Sequence, residues 1–266
     1  MFNSAHEDQA HGLRRMFAQS RTRSLPVVSN PHVPFAGVLL ERLCTAFGEL
    51  GLHTLVVDAA EGAPAPRELA MMDLAEGIEP LAPQMSYLAA RGLPVRHVDT
   101  HGSTAGFLQA VADAAPQAGV LLVHAGASDL ARMFARRNVR PLLLADDRPH
   151  AVMHAYAAMK LLAQRAGLMA HDLLLTAAPA SPRAERIAQQ LAACADTYLG
   201  AVLHDWVRVD PASAATDAPD AVLRRLVREL LVACEPGLPP AGAPPGHGLP
   251  PALWSRPAAR VATEVR

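Results

Sequence analysis

The sequence is poor in aromatic residues, cysteine and lysine. Aromatic residues make up 4% of the 266 residues, so the core has to be built from aliphatic side chains. The three cysteines, Cys44, Cys194 and Cys234, have no CxxC spacing and fall inside apolar helical patterns. This favours buried free thiols in a reducing compartment over a disulfide framework. Lys160 is the only lysine among 24 cationic residues, so chemistry that needs a lysine must use it.

Long apolar runs and an excess of one charge are also missing. No run approaches the roughly 18 residues that would span a bilayer, and the first residues include acids where a signal peptide would be apolar. We therefore expect a cytoplasmic protein, with peripheral contact at the cell-pole membrane left open. The formal net charge of -1 gives no electrostatic reason to expect a nucleic-acid partner.

Short apolar runs alternate with longer amphipathic stretches along most of the chain. The runs predict strands at residues 25–29, 54–58, 95–98, 119–124, 141–145, 173–176 and 199–203. The amphipathic stretches predict helices at residues 35–50, 67–74, 104–115, 127–137, 151–166 and 183–195. This alternation predicts an α/β fold with a doubly wound, mostly parallel sheet. Sites in such folds form at the carboxyl ends of the strands.

We divide the chain into three parts. Residues 1–23 form an N-terminal helix and a basic linker, residues 24–234 form the α/β domain, and the proline-rich residues 235–266 form a tail predicted to be disordered. The last helix of the domain, at residues 220–234, is amphipathic and could contact a membrane or close the domain. Closure is favoured because terminal amphipathic helices usually cover the core.

The N-terminal segment contains the motif DQAHGLR at residues 8–14. It resembles the DQAxxLR motif of the MinD/ParA-like flagellar-number regulators, the FlhG or FleN type. In that family the helix engages and activates FlhF, a flagellar GTPase related to those of the signal recognition particle. The resemblance implies a partner-binding set of Asp8, Gln9, Ala10, Leu13, Arg14 and Phe17. It also leaves flagellar basal-body or regulatory proteins open as further partners.

The resemblance continues to about residue 211. HTLVVDAAEG resembles the family's second strand and first switch, HAYAAMKLLAQRAG one of its helices, and RAERIAQQLAACADTYLGAVLHD its last helix and strand. It therefore implies the P-loop NTPase architecture of MinD and ParA, a family whose cofactors are ATP and Mg²⁺.

The phosphate-binding loop of that family, GKGGVGKT, is absent. Residues 29–37 read SNPHVPFAG, so that Pro31 stands in place of the signature lysine, Ala36 in place of the second lysine and Gly37 in place of the magnesium-binding threonine. Prolines remove amide donors, and bulky side chains replace the glycines that let the backbone approach a phosphate. We expect this loop to be unable to cradle phosphates.

Other positions of the implied site have changed as well. His124 stands where the second switch of the family has an aspartate, Thr176 stands where relatives have an asparagine that contacts adenine, and Asp58 of the first switch remains. The degenerate nucleotide site thus comprises Asn30, Pro31, His32, Ala36, Gly37, Asp58, His124 and Thr176. We expect no bound cofactor, no catalytic residue and no metal ligand.

The leading hypothesis is a pseudo-ATPase that regulates flagellum number and placement by stimulating FlhF, as a monomer or a nucleotide-independent dimer. One alternative is an enzyme that uses polar residues near strand ends, namely Asp58, Asp99, His101, His124, Asp146 and Asp147. The other is an ATPase with a remodelled loop, in which His32 and arginines replace lysine.

Overall fold

The computed structural model describes residues 22–34, 36–179, 181–213 and 217–234. The predicted N-terminal helix with its motif and the proline-rich tail lie outside the described residues. The described part is an α/β domain, as predicted, and it contains one eight-stranded sheet, where seven strands were predicted. Its strands are β1 (Arg23–Val28), β2 (Thr54–Asp58), β3 (Ile78–Ala82), β4 (Met85–Ala89), β5 (Val120–Ala125), β6 (Leu142–Asp146), β7 (Ala170–Thr176) and β8 (Val202–Val209).

The strand order is β3-β4-β2-β5-β1-β6-β7-β8. Every neighbouring pair is parallel except β3 and β4, which are antiparallel. The central strand β5 is buried along its whole length, as expected for a continuous apolar run covered on both faces of a parallel sheet.

Six α-helices in the described part of the chain cover the two faces of the sheet. They are α1 (Ala36–Gly48), α2 (Ala105–Ala114), α3 (Ala127–Phe134), α4 (Pro149–Ala166), α5 (Arg183–Leu199) and α6 (Ala221–Ala233). Buried side chains of α1 and α6 belong to one apolar cluster, and those of α2, α3, α5 and most of α4 belong to the other, with Ala151 at the start of α4 in the first. Two hydrophobic cores therefore sandwich the sheet.

Helix α6 closes the domain. Asp220 caps it by accepting a hydrogen bond from the amide of Leu223 at 2.7 Å. The apolar residues Leu226, Val227 and Leu230 are at most 1% exposed, so the face of the helix that they form packs inside the domain. Within the part of the chain that the structure describes, no helix has the length and apolar character to cross a membrane.

Some predicted elements are wrong. Residues 95–98 are not a strand, because Pro94 begins a short 3₁₀ helix at Pro94–His97. Residues 67–74 do not form an α-helix; two 3₁₀ turns occupy Leu69–Met71 and Leu74–Gly77. The predicted strand at 199–203 begins only at Val202, since α5 runs on to Leu199.

The antiparallel pair β3 and β4 was missed entirely. Pro80 interrupts the apolar pattern of β3, and a proline inside a short run argues against a strand. The structure places β3 at the edge of the sheet, where a missing amide donor is tolerated.

The cysteines are free, but they do not share one environment. Cys44 and Cys234 are buried, and burial raises the pKa of each thiol to about 12. Cys194 is only half-buried, which corrects the prediction that all three are buried, because it lies beside rather than on the buried stripe of α5 formed by Leu191 and Ala195.

Candidate functional site

A cleft of about 600 Å³ opens at the carboxyl ends of β1, β2 and β5. The first residues of α1 and α3 form part of its wall. Six of the eight residues predicted for the degenerate nucleotide site line it: Asn30, Pro31, Ala36, Gly37, Asp58 and His124. The topology therefore brings the implied site together where sites of this fold class form.

The backbone amides of the loop after β1 donate hydrogen bonds within the loop itself. Pro31 and Pro34 carry no amide hydrogen. The amide of His32 donates to the side-chain oxygen of Asn30 at 3.1 Å, and the amide of Val33 donates to the backbone carbonyl of Asn30 at 3.0 Å. Residues 31–34 thus form a tight turn closed on Asn30, with Pro31 at the position that turns favour. No amide hydrogen of these four residues is left to bind an anion.

Asn30 also fastens the loop to the rest of the domain. It is 3% exposed, and its amide group donates to the carbonyls of Leu144 at 2.8 Å and Ala151 at 2.9 Å. Leu144 lies in β6 and Ala151 in the first turn of α4. One side chain therefore holds the loop, a neighbouring strand and a neighbouring helix together.

An arginine from outside the loop reaches it. The guanidinium of Arg148 donates to the carbonyl of His32 and, through Nε, to the carboxylate of Asp146 at 2.7 Å. The charge nearest to the loop is therefore already paired with a carboxylate, which weakens its attraction for a phosphate.

The half-buried Asp58 and the buried His124 form a polar pair in the cleft. They stand side by side because β2 and β5 pair in a register that matches these two residues. His124 Nδ1 is 2.9 Å from Asp58 Oδ1. The hydroxyl of Tyr87 donates to Asp58 Oδ2 at 3.1 Å, and the amide of Ala60 donates to Asp58 Oδ1 at 3.3 Å.

These partners set the ionisation of the pair's carboxyl and its phenol. Burial alone would raise the pKa of the Asp58 carboxyl, but the hydrogen bond and charge of His124, with the Ala60 amide and the Tyr87 hydroxyl, hold that pKa below its ordinary value. Burial and the neighbouring Asp58 carboxylate raise the pKa of Tyr87. Asp58 is thus kept as an anion, and Tyr87 as a neutral donor to it.

The remaining ring nitrogen of His124, Nε2, is buried and has no hydrogen-bond partner among the described residues. Since Asp58 contacts Nδ1, a neutral His124 that donates from Nδ1 would present Nε2 as an acceptor. The pair has the arrangement in which a carboxylate orients an imidazole.

Comparisons with known proteins bear on the fold. No family profile and no curated protein matches the chain. Among solved structures, cobyrinic acid a,c-diamide synthase from Mycobacterium smegmatis is similar with a TM-score of 0.51 at 14% identity, over 79% of this chain and 94% of that one. A plasmid partition protein from Borrelia burgdorferi gives 0.50 at 6% identity, over 79% and 97%. The septum site-determining protein MinD from Pyrococcus horikoshii, complexed with Mg-ADP, gives 0.49 at 14%, over 78% and 95%.

The fold is that of the MinD/ParA-type P-loop NTPases. At these identities the likeness shows the architecture and nothing about activity. In the MinD/ParA-type fold the loop after the first strand is the phosphate-binding loop, and here that position carries the turn closed on Asn30.

Two residues predicted for the site do not line the cleft. Thr176 ends β7 and is buried, with a side-chain oxygen that has no partner among the described residues. His32 turns toward α4, where its ring lies 5.8 Å from that of His154.

The strand-end residues of the enzyme hypothesis do not assemble into one site. Asp99 is exposed and accepts hydrogen bonds from the amides of His101 and Ser103 at 2.9 Å, which makes it a turn former. Asp146 accepts from the amide of Arg148 at 2.9 Å and shapes the start of α4 in the same way. Only Asp58 and His124 of this set meet in the cleft, and no group of three or more possible ligands among the described residues already lies close enough to share a metal ion.

Sequence reasoning missed several residues near the cleft. Tyr87 belongs to β4, which was not predicted, so its contact with Asp58 could not be anticipated. His150 and His154 stand four residues apart on α4. This HxxxH spacing is visible in the sequence and could have been found there.

Proposed function

We propose that the chain is a nucleotide-independent regulator of flagellum number and placement. It binds FlhF, the flagellar GTPase related to those of the signal recognition particle, and stimulates it through residues 8–17. The observation that carries the proposal is the hydrogen-bond arrangement at Asn30. A loop whose amides are absent or turned inward cannot cradle a triphosphate, so action falls to contact with another protein.

The partner comes from the resemblance of the N-terminal motif. Residues 8–14 lie outside the described residues, and the domain from β1 to α6 supplies a folded body to which such a segment is attached. In this scheme Gln9 reaches the active site of the GTPase, and catalysis takes place in the partner.

The nucleotide part of the proposal is tested by calorimetric titration of the protein with Mg-ATP, using an intact MinD-type ATPase as the positive control. We expect no binding heat from this chain. Tight binding would contradict the proposal and would favour the alternative of an ATPase with a remodelled loop.

The partner part is tested by GTP turnover of FlhF with a peptide of residues 1–23. We expect stimulation by the natural peptide and by a Gln19→Ala peptide, which changes the same residue type outside the motif. The Gln9→Ala peptide should not stimulate. Equal turnover with all three peptides and without peptide would refute the activator role.

A second candidate is an enzyme that uses the cleft, and the 2.9 Å contact between Asp58 and His124 favours it. A carboxylate that orients an imidazole is a common arrangement for general acid–base catalysis. Hydrolysis of ATP by the natural protein that is lost in His124→Gln would support this candidate over the pseudo-ATPase.

A further inference from the structure

A groove of about 620 Å³ lies between helix α2 and the two 3₁₀ turns that precede β3. Ala110 and Ala114 line it from α2, and Met71, Met72 and Leu74 line it from the turns. Among the described residues, none lines both this groove and the cleft at the carboxyl ends of β1, β2 and β5. The groove is therefore a second, separate surface of the domain.

The wall formed by the turns presents apolar side chains to solvent. Met72 is 89% exposed and Met71 is 48% exposed, and the neighbouring Leu69 is exposed as well. Methionine side chains are flexible and polarizable, and they make favourable contacts with aromatic rings. A groove of this kind suits the apolar face of a helix that carries an aromatic residue.

The described chain begins close to one end of the groove. The hydroxyl of Thr22 donates to the carbonyl of Ala118 at 3.0 Å, and the amide of Ala118 donates to the carbonyl of Ala115 at 3.0 Å. Ala115 follows Ala114, which ends α2 and lines the groove. Residues 1–21 precede Thr22, and at about 3.3–3.6 Å per extended residue a few of them are enough to reach the groove.

The sequence of this preceding segment provides a matching apolar face. A helix is predicted over residues 5–19, which lie outside the described residues, and Leu13, Met16 and Phe17 fall on one side of it. Fifteen helical residues are about 22 Å long. Phe17 is near the end of this helix that is joined to Thr22, so the aromatic ring is the part of the apolar face with the shortest tether to the groove.

The charges of the helix and the groove are complementary along their length. Asp113 lines the groove shortly before β5 begins, and Arg96 lines it shortly after β4 ends, so these two charges lie toward opposite edges of the parallel sheet. The arginines at 14–15 are in the half of the helix nearer to Thr22, and the acids at 7–8 are in the other half. A helix tethered at Thr22 therefore brings its arginines toward Asp113 and its acids toward Arg96.

We propose that this groove is the docking surface for residues 5–19 of the same chain, with Phe17 packed against Met71 and Met72. The tether gives the helix an effective concentration on the order of millimolar at the groove, so that even modest affinity keeps the groove filled. The docking does not depend on the proposed action on FlhF. Where both hold, the GTPase has to compete with the groove for the helix.

The test is fluorescence anisotropy of a labelled peptide of residues 1–21 titrated with full-length proteins. Phe17→Asp releases the protein's own helix, so this variant should bind the peptide at least about tenfold more tightly than the natural protein does. Adding Met72→Asp to that variant should weaken peptide binding about tenfold or more. Adding Met153→Asp instead should leave it unchanged, because Met153 is a 66% exposed methionine on α4 outside the groove.

Peptide variants and the oligomeric state complete the experiment. An Ala18→Asp peptide should bind like the natural one, because residue 18 falls on the opposite side of the helix from Leu13, whereas a Phe17→Asp peptide should not bind. Circular dichroism checks that each protein is folded.

Equal peptide affinity of the natural and Phe17→Asp proteins would overturn the proposal, as would no binding to the Phe17→Asp protein or binding that Met72→Asp leaves unchanged. A dimer of the natural protein that sedimentation velocity detects and that Met72→Asp abolishes would also overturn it, because a second copy would then fill the groove.

Discussion

At the residue scale, Asp58 and His124 each supply the hydrogen-bond partner of the other, because His124 Nδ1 contacts Asp58 Oδ1. Asp58 accepts from His124, Tyr87 and the amide of Ala60, and His124 is 7% exposed. A buried polar atom that loses its partner costs about 1–3 kcal/mol. The pair therefore contributes to stability whether or not it has a chemical role.

We predict that Asp58→Ala lowers the free energy of unfolding by about 2 kcal/mol, because His124 Nδ1 and the Tyr87 hydroxyl lose their acceptor. Urea denaturation at pH 7 measures the change. The matched control is Glu61→Ala, an exposed carboxylate on the same cleft, with an expected change within about 0.5 kcal/mol. Equal effects of the two substitutions would contradict the structural role of the pair.

Single residues differ in how far the sequence could place them. Asp58 ends β2 and His124 is the last but one residue of β5, so their positions at the carboxyl edge of the sheet followed from the strand pattern alone. Their direct pairing did not, because it depends on the register between β2 and β5. His32 was predicted within the nucleotide site, but the turn at Asn30 directs it to α4. This could not be predicted, because hydrophobic periodicity does not reveal a hydrogen bond between two loop residues.

At the scale of elements, the loop between β1 and α1 is tied by hydrogen bonds to β6 and α4. The side chain of Asn30 accepts a hydrogen bond from the amide of His32 and donates to the carbonyls of Leu144 and Ala151, so it ties the loop to β6 and α4. Pro31 and Pro34 limit the loop to this conformation. The loop is therefore held by internal hydrogen bonds.

We predict that Asn30→Ala lowers the free energy of unfolding by about 2–3 kcal/mol, because the carbonyls of Leu144 and Ala151 lose the hydrogen bonds that the Asn30 side chain donates and the His32 amide loses its acceptor. Asn138→Ala is the control, since Asn138 is exposed and should change stability by about 0.5 kcal/mol or less. Thermal or urea denaturation compares the two. A small effect at Asn30 would mean that the loop is not held through this side chain.

The elements that escaped prediction share a physical cause. Strand β3 carries Pro80 and lies at the edge of the sheet, and β4 alternates half-buried with buried residues, so neither has the continuous apolar run that marks β5. The two 3₁₀ turns between Leu69 and Gly77 pack only part of their surface, with Ala70 and Gly77 buried. Elements that bury few side chains leave only a weak apolar pattern in the sequence. The helices that cover the two faces of the sheet have a clear pattern and are predicted with small errors at their ends.

At the scale of the whole molecule, the connections of the sheet create the cleft. From β1 the chain crosses to α1 on one face and continues to β2, and from β5 it crosses to α3 on the other face and continues to β6. The loops after β1 and β5 therefore part in opposite directions and leave a crevice between them. The crevice depends on the connections of the sheet and not on the sequence of the loop after β1, so a change of that loop leaves the crevice in place.

The free energy of unfolding of the domain should depend on pH through His171, a buried histidine that does not line the crevice. His171 is fully buried near the start of β7, and neither ring nitrogen has a partner among the described residues. Burial lowers its pKa from 6.5 to about 4. Between these two values the unfolded chain binds a proton that the folded domain excludes, so stability falls as the pH falls through this window.

We predict that this histidine alone removes about 2 kcal/mol of unfolding free energy between pH 7 and pH 5, from 1.36 kcal/mol per pH unit below the unfolded pKa. Urea denaturation at the two pH values should show a smaller loss for His171→Leu, which fills a similar volume and cannot bind a proton. His101→Leu, at an exposed position, should keep the loss of the natural protein. If His171→Leu and the natural protein lost the same free energy, the proton uptake would have to occur elsewhere in the chain, and the buried neutral imidazole would not be its source.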